Sequence, residues 1–166
     1  VPDGATLQTG IGGIPSEIVQ VLAEGSGGDY GIHSEMFTTG LMFLHQAGKV
    51  TNRKGVYDGF SAVTFAAGSP ELYAWLDGQQ DVRFLPVDQI NEPTIIARNR
   101  RMVSINGALS IDLAGQVAAV AVDQLGGMIH LEVAGDREHG VPRRVVGVEE
   151  VAGVVEAGLA QVLEGP

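Results

Sequence analysis

Residues 5–35 run Ala5-Thr6-Leu7-Gln8-Thr9, Gly10-Ile11-Gly12-Gly13, a segment with Ile14, Ile18, Val21 and Leu22, then Tyr30-Gly31-Ile32-His33-Ser34 and Glu35. The first five residues read as a short strand, ended by the glycines. Pro15 stands at a first helical position, and the apolar residues that follow recur at helical spacing. Gly25-Ser26-Gly27-Gly28 stops that helix, and Tyr30 to Ser34 resumes as a strand. A strand, a glycine turn, a helix and a second strand predict an α/β fold.

The pattern continues on both sides of Gly40. Phe37 to Ala47 reads as a helix anchored by Leu41, Phe43 and Leu44, with Gly48 as its C-terminal cap. Ser61 to Ala67 is a buried strand, and Ser69-Pro70 opens a helix through Leu72, Tyr73, Trp75 and Leu76. Val82 to Val87 is another strand, and Pro93 to Ala97 a short helix or turn. Met102 to Asn106 and Gly115 to Val120 are further strands, with a hairpin around Asp112 to Gly115. The expected architecture is an open, mostly parallel sheet with flanking helices. Ligands of such sheets gather at the carboxyl ends of the strands. That rule places Gly10 to Gly13, Glu35, Gly68-Ser69 and Asp88 to Asn91 near one rim.

From about Val122 the character changes. Met128 to Val133 is a strand, a polar turn spans Gly135 to Gly140, and Val148 to Leu163 carries apolar residues at helical spacing. We therefore expect a single domain over 1–166, with a divergent segment at 123–166 that ends in a helix.

Composition narrows the function classes. The chain has 166 residues, a formal charge of -10 and 45% hydrophobic residues, enough for a real core. Such a charge repels nucleic acid and anionic membranes, so neither is an expected partner. Arg98, Arg100 and Arg101, and Arg143 with Arg144, read as solvated surface. With no cysteine there is no disulfide framework and no thiolate nucleophile. No apolar run approaches a membrane span and no signal peptide opens the chain, so a cytoplasmic location is the expectation. The chain starts at Val1, which suggests a fragment.

Several residue sets have chemistry to offer. The glycines Gly10, Gly12 and Gly13 either form a structural turn or let backbone N–H groups approach an anion. They lack dinucleotide-fingerprint spacing, and no phosphate-loop lysine follows. His33 and Glu35 share a face if the strand extends that far. In its apolar neighbourhood Glu35 would be partly desolvated, as a nucleophile or base, or else it is an ordinary strand-end carboxylate. Asn91 is a turn residue before Pro93 or a carboxamide that bonds a carbonyl or oxyanion. The histidines show no metal spacing, so no metal is expected, and His45, His130 and His139 read as structural or surface residues. No G-x-S-x-G elbow is present.

The blocks GATLQTGIGGIP, GIHSEMFTTG, GKVTN, FAAGSPELYAWLD, PVDQINEPTIIARN and VSINGALSIDLAGQV, in this order, resemble the acetyl-CoA hydrolase/transferase family. The resemblance spans about Val1 to Val120 and is nearest the 4-hydroxybutyrate and butyrate:acetate CoA-transferases. It implies a class I CoA-transferase fold and activity, with coenzyme A as a substrate and no covalent cofactor at rest. It assigns Glu35 as the nucleophile that forms a glutamyl-CoA thioester. It also places Asn91 on the thioester carbonyl and Gly10, Gly12 and Gly13 along the same pocket. Acyl-CoA and carboxylate substrates are the implied ligands, and a homo-oligomer or a missing N-terminal half is the implied partner. Hydrolysis of acyl-CoA, or binding without turnover, are the alternative activities.

Overall fold

Thr6–Thr9 forms strand β1, which has a parallel neighbour on each side. The computed structural model describes residues 1–108 together with 110–111, 117–118 and 128–133. After β1 come α1 (Gly13–Glu24), β2 (Gly31–Ile32), β3 (Met36–Phe37), α2 (Thr39–Gln46), β4 (Ser61–Val63) and β5 (Phe65–Ala66). Next are α3 (Pro70–Leu76), β6 (Val82–Phe84), α4 (Val87–Ile90), α5 (Pro93–Ile96) and β7 (Met102–Ala108). The short strands β8 (Ser110–Ile111), β9 (Val117–Ala118) and β10 (Met128–Val133) follow.

The central sheet has the order β10-β7-β1-β2, with β7 and β2 parallel to β1 and β10 antiparallel to β7. A parallel bridge between His33 and Ala62 leads on to β4, which pairs parallel with β6. The expected open, mostly parallel α/β sheet with flanking helices is what forms. Register explains its two faces. Leu7 stands opposite Ile32 on one side and Val103 on the other, and all three are fully buried. They join Ile105, Val19 of α1, and Leu41, Met42 and Leu44 of α2 in the core. Each such side chain contributes about 1.5–3 kcal/mol by leaving water.

The alternate residues occupy the opposite face, as the period of two requires. There Thr6 pairs with Gly31 and Met102, and Gln8 with Ser104. Lys54, fully buried, lies across Gly31: a Cβ on that glycine would sit 2.2 Å from Lys54 Cγ. Lys54 Nζ donates to the carbonyls of Tyr57, at 2.7 Å, and Phe60, which fastens the intervening loop. Burial lowers this ammonium to about 8, against a smaller opposing effect of Asp58.

Four boundaries differ from expectation. Helix α1 starts at Gly13, so Pro15 lies inside the first turn, where its missing N–H has no helical partner to lose. Phe37 belongs to β3, because Thr38 caps α2 by accepting from Leu41 N at 3.4 Å. The strand expected at 61–67 is two strands. Thr64 N and Phe65 N both donate to Glu35 O, and the chain passes from pairing with β6 to pairing with β3. The strand expected at 82–87 ends at Phe84, because Pro86 offers no N–H to a ladder and instead opens α4. Asp88 to Asn91 is therefore a helical turn and not a strand end.

Strand β10 falls where the sequence places it, and β8 pairs antiparallel with β9, while the turn expected around Asp112 to Gly115 lies outside the described residues. The arms of that hairpin are 110–111 and 117–118, while Met102–Ala108 belongs to the central sheet. The helix expected over 148–163 lies outside the described residues.

Candidate active site

Glu35 is fastened by its backbone before its side chain is considered. Ser34 N donates to Ala62 O at 3.1 Å, and Glu35 O accepts from Thr64 N at 2.8 Å and Phe65 N at 3.1 Å. The buried Ser34 hydroxyl lies between Thr9 N, at 3.3 Å, and Thr9 O, at 3.4 Å. The carboxylate thus projects from a point held by β1, β4 and β5 together. Its partner comes from far along the chain. Asn91 Nδ2 donates to Glu35 Oε2 at 3.0 Å.

Asn91 owes its place to a buried histidine. It forms the C-cap of α4, with its N–H on Val87 O at 2.8 Å. The preceding residue, Ile90, is buried, and its carbonyl lies 2.8 Å from His33 Nε2. On the other side of the ring, Asn99 Nδ2 donates to His33 Nδ1 at 3.2 Å. An amide donor on Nδ1 and a carbonyl on Nε2 select the neutral tautomer with its proton on Nε2. Burial agrees with that form, since it pushes the His33 pKa below the usual histidine value. A chain of contacts therefore runs from Asn99 through His33 and Ile90 to Asn91 and Glu35. Nothing local marks it in the sequence: the partners of His33 lie 57 and 66 residues away.

Glu35, Asn91 and His33 line one cavity of about 390 Å³. Ile90, Ile96 and Met102 contribute apolar wall, and Gln8 and Ser104 contribute polar floor from β1 and β7. The strand does not extend to Glu35, since β2 ends at Ile32, yet His33 and Glu35 both line the cavity. The expected desolvation of Glu35 is not realised. Both Glu35 and Asn91 are exposed in this chain: Glu35 lies in the bend ahead of β3, and no described element covers it.

The glycines lie apart from that lining. Gly10 N donates to Ile105 O at 2.8 Å, and a Cβ at Gly10 would stand 2.5 Å from Asn106 Oδ1. The glycine lets the Asn106 carboxamide fold over the end of β1. Gly12 has φ 120°, a backbone region that side chains rarely adopt, and its carbonyl accepts from Ser16 N and Oγ. A Cβ on Gly13 would meet nothing within 4 Å. Gly68, also expected at the rim, packs against Thr39 and Leu72, and Ser69 N donates to Thr39 Oγ1 at 2.9 Å.

Among the described residues no group of three or more His, Asp or Glu side chains is placed to hold a metal, and no helix is long and apolar enough to cross a membrane. The chemistry on offer is a carboxylate, a carboxamide bound to it and a cavity of mixed polarity. A carboxylate can attack an acyl carbon, and a carboxamide N–H can receive the oxyanion that forms.

Comparison with known proteins supplies context for that arrangement. Residues 68–135 match the acetyl-CoA hydrolase/transferase C-terminal domain. The chain is 40% identical to a 4-hydroxybutyrate coenzyme A transferase of Clostridium kluyveri, over 74% of this chain and 28% of that protein. It is 37% identical to a succinyl-CoA:cyclohexane-1-carboxylate CoA transferase of Geobacter metallireducens, over 75% and 28%. Among solved structures, RipA from Yersinia pestis superposes with a TM-score of 0.68 at 43% identity, covering 74% of this chain and 28% of RipA. A 4-hydroxybutyrate CoA-transferase from Porphyromonas gingivalis gives 0.66 at 41%, over 70% and 30%. The chain spans little more than a quarter of the length of the curated relatives it matches.

Proposed function

The chain belongs to the acetyl-CoA hydrolase/transferase family, and on that premise we propose that it carries the nucleophile of a CoA-transferase, Glu35. The reaction moves CoA between a short-chain acyl-CoA and a carboxylate of the acetate, butyrate or 4-hydroxybutyrate type. The observation that carries this reading is the Asn91 Nδ2 to Glu35 Oε2 hydrogen bond of 3.0 Å at the mouth of a cavity of about 390 Å³. It orients one carboxylate oxygen and leaves the other to attack. The second N–H of Asn91 is the donor for the developing oxyanion.

The steps balance as follows. A Glu35 oxygen adds to the thioester carbonyl, the C–S bond breaks, and CoA leaves as thiolate with an acyl-glutamyl anhydride behind. The thiolate adds to the Glu35 carbonyl and releases the acyl group as a carboxylate, giving a glutamyl-CoA thioester. The acceptor carboxylate adds to that thioester, forming a new anhydride and thiolate, and thiolate attack on the new acyl carbonyl yields the product acyl-CoA and free Glu35. Because Glu35 and Asn91 are exposed, a second copy of the chain or an N-terminal half supplies the missing cover and excludes water. In the same reading the glycines Gly10, Gly12 and Gly13 line the CoA path, residues 1–166 belong to one domain, and the protein works in the cytoplasm.

Exposure of Glu35 favours a second reading, acyl-CoA hydrolysis, in which water takes the place of the acceptor. Incubation of the full natural protein with acyl-CoA, borohydride reduction and peptide mass spectrometry tests the nucleophile in both. Residue 35 should be recovered as the alcohol of a reduced thioester. If CoA exchange proceeds while Glu35 stays an intact carboxylate, the assignment is wrong. Adding acetate then separates transfer from hydrolysis by the product formed.

A further inference from the structure

The Ile90–Asn91 peptide group carries a hydrogen bond on each edge. Asn91 N–H donates to Val87 O at 2.8 Å, and Ile90 O lies 2.8 Å from His33 Nε2. A peptide group is planar and includes the next Cα, so the two bonds together fix where the Asn91 side chain begins. Helix α4 could not do this alone. It has four residues and no side-chain cap, and an isolated turn of that length is unstable. Its last carbonyl has no partner inside the helix and is open to an outside donor. Glu35 is 56 residues away in the chain, so its 3.0 Å contact with Asn91 Nδ2 depends on a tertiary tie of this kind.

The imidazole is committed on its other sides. Asn99 Nδ2 reaches the carbonyls of Ile95 at 3.3 Å and Ile96 at 3.2 Å, which fixes that carboxamide with its nitrogen toward His33 Nδ1. Nδ1 must then accept, and the one ring proton goes to Nε2, facing Ile90 O. Tyr57 stacks on the ring, with centroids 6.0 Å apart and planes 22° from parallel. Tyr57 has φ 51°, a left-handed conformation that costs a bulky residue energy, and Lys54 Nζ holds its carbonyl at 2.7 Å. Neither nitrogen is free to take a proton from water or a ligand, so His33 is no general base here. What it has to offer is geometry.

We propose that His33 is a positioning residue for CoA transfer: its Nε2–H fixes the Ile90–Asn91 peptide and thereby sets the Asn91 carboxamide on Glu35 and on the developing oxyanion. The inference rests on the CoA-transferase reading of Glu35 and Asn91.

The two ring nitrogens can be removed separately. Gln places an amide nitrogen near the position of Nε2, and Asn places an amide oxygen near that of Nδ1. His33→Gln therefore keeps the donor to Ile90 O and loses the acceptor for Asn99, while His33→Asn does the reverse. The full natural protein and each variant are assayed for transfer from butyryl-CoA to acetate. In His33→Asn kcat should fall by about 10²-fold with KM little changed, because a displaced Asn91 is felt in the transition state. His33→Gln should recover most of that loss. Asn91→Ala should lower kcat by about 10²- to 10³-fold, and adding His33→Asn to it should change little, since the histidine acts through Asn91.

Should His33→Asn fail to fold, His33→Phe, which keeps a ring on Tyr57 and lacks both nitrogens, takes its place in the cycle. Nitrogen NMR of histidine-labelled parent protein adds a reading that needs no variant to be active: His33 should carry its proton on Nε2 and none on Nδ1. The proposal is overturned if the losses of His33→Asn and Asn91→Ala multiply, as they would for a histidine that merely supports the fold. It is equally overturned if His33→Gln loses as much as His33→Asn, if Asn91→Ala leaves kcat unchanged, or if the ring proton sits on Nδ1. All of these leave Glu35 open to modification by acyl-CoA and borohydride. Failure of Glu35 to become modified in the parent is a different result, and removes the transferase reading itself.

Discussion

The two faces of the central sheet are built from the same three strands and have opposite uses. On one face Leu7, Ile32, Val103 and Ile105 are completely buried against α1 and α2. On the other, Gln8, His33 and Ser104 line a cavity beside Glu35 and Asn91. Adjacent residues in the chain thus belong to different problems: Leu7 to the core, Gln8 to the lining of the cavity. The helical face tolerates little change in volume, because packed interiors respond to single methylenes. The cavity face is held by directed hydrogen bonds, so its vulnerability is to changes in chemistry at constant volume. Substitutions one residue apart should therefore fail in different ways.

The sharpest break comes at Glu35. Glu35→Gln keeps the shape and can still pair with Asn91, but an amide cannot form the anhydride. We expect CoA transfer to fall by about 10⁴-fold or more, with the unfolding transition essentially unmoved since the side chain is exposed. Steady-state transfer and a urea titration on the same preparation read both quantities. Retention of more than a few per cent of activity would remove Glu35 from the reaction.

Leu7→Ala should show the converse. Leu7 has no exposed surface and sits mid-sheet between Ile32 and Val103. Its truncation should cost about 2–5 kcal/mol of stability. The activity of the molecules that remain folded, measured well below the transition, should stay within about twofold of the parent. A large loss of activity in fully folded Leu7→Ala would show that the two faces are mechanically coupled.

The sequence exposes these faces unequally. Alternation in Ala5–Thr9 and the glycine-punctuated helix after it reveal β1, α1 and β2, because local periodicity reports which face is apolar. Glu35 and Asn91 stand out only through their sequence blocks, since spacing alone left both with ordinary surface explanations. His33 and Asn99 as supports of Asn91 were invisible, because hydrogen bonds across more than fifty residues leave no local pattern. Lys54 escaped notice for a related reason: in Asn52-Arg53-Lys54-Gly55 it looks like a surface loop residue, yet the carbonyls of Tyr57 and Phe60 hold it inside. The expected strand end at Asp88–Asn91 failed on one residue, Pro86, whose helix-opening role outweighed its apolar neighbours.

The smallest effect compares two histidines, half-buried His45 and buried His33, one behind each face. His45, on α2, packs against the stacked rings of Phe37 and Trp75 with Nε2 2.8 Å from Ser61 Oγ, and burial lowers its pKa to about 4. His33 is lowered too, chiefly by burial. In both cases the unfolded chain, titrating near 6.5, binds a proton more readily than the folded one. Stability is therefore fully present above that value and declines as pH falls through the window from 6.5 towards 4. His45 should account for about 2 kcal/mol of loss between pH 7.5 and 5. The depressed carboxyls of Asp29 and Asp58 titrate in the unfolded chain only near 3.8, so they do not contribute in that interval. Urea unfolding at the two pH values, for the parent and for His45→Asn, isolates the effect: the variant should be less stable at pH 7.5 but show a shallower slope. Equal slopes would mean that His45 is not held neutral by the core. Because His45 lies behind the helical face and His33 beside the cavity, the slope that survives in His45→Asn measures how strongly the site side resists the same proton.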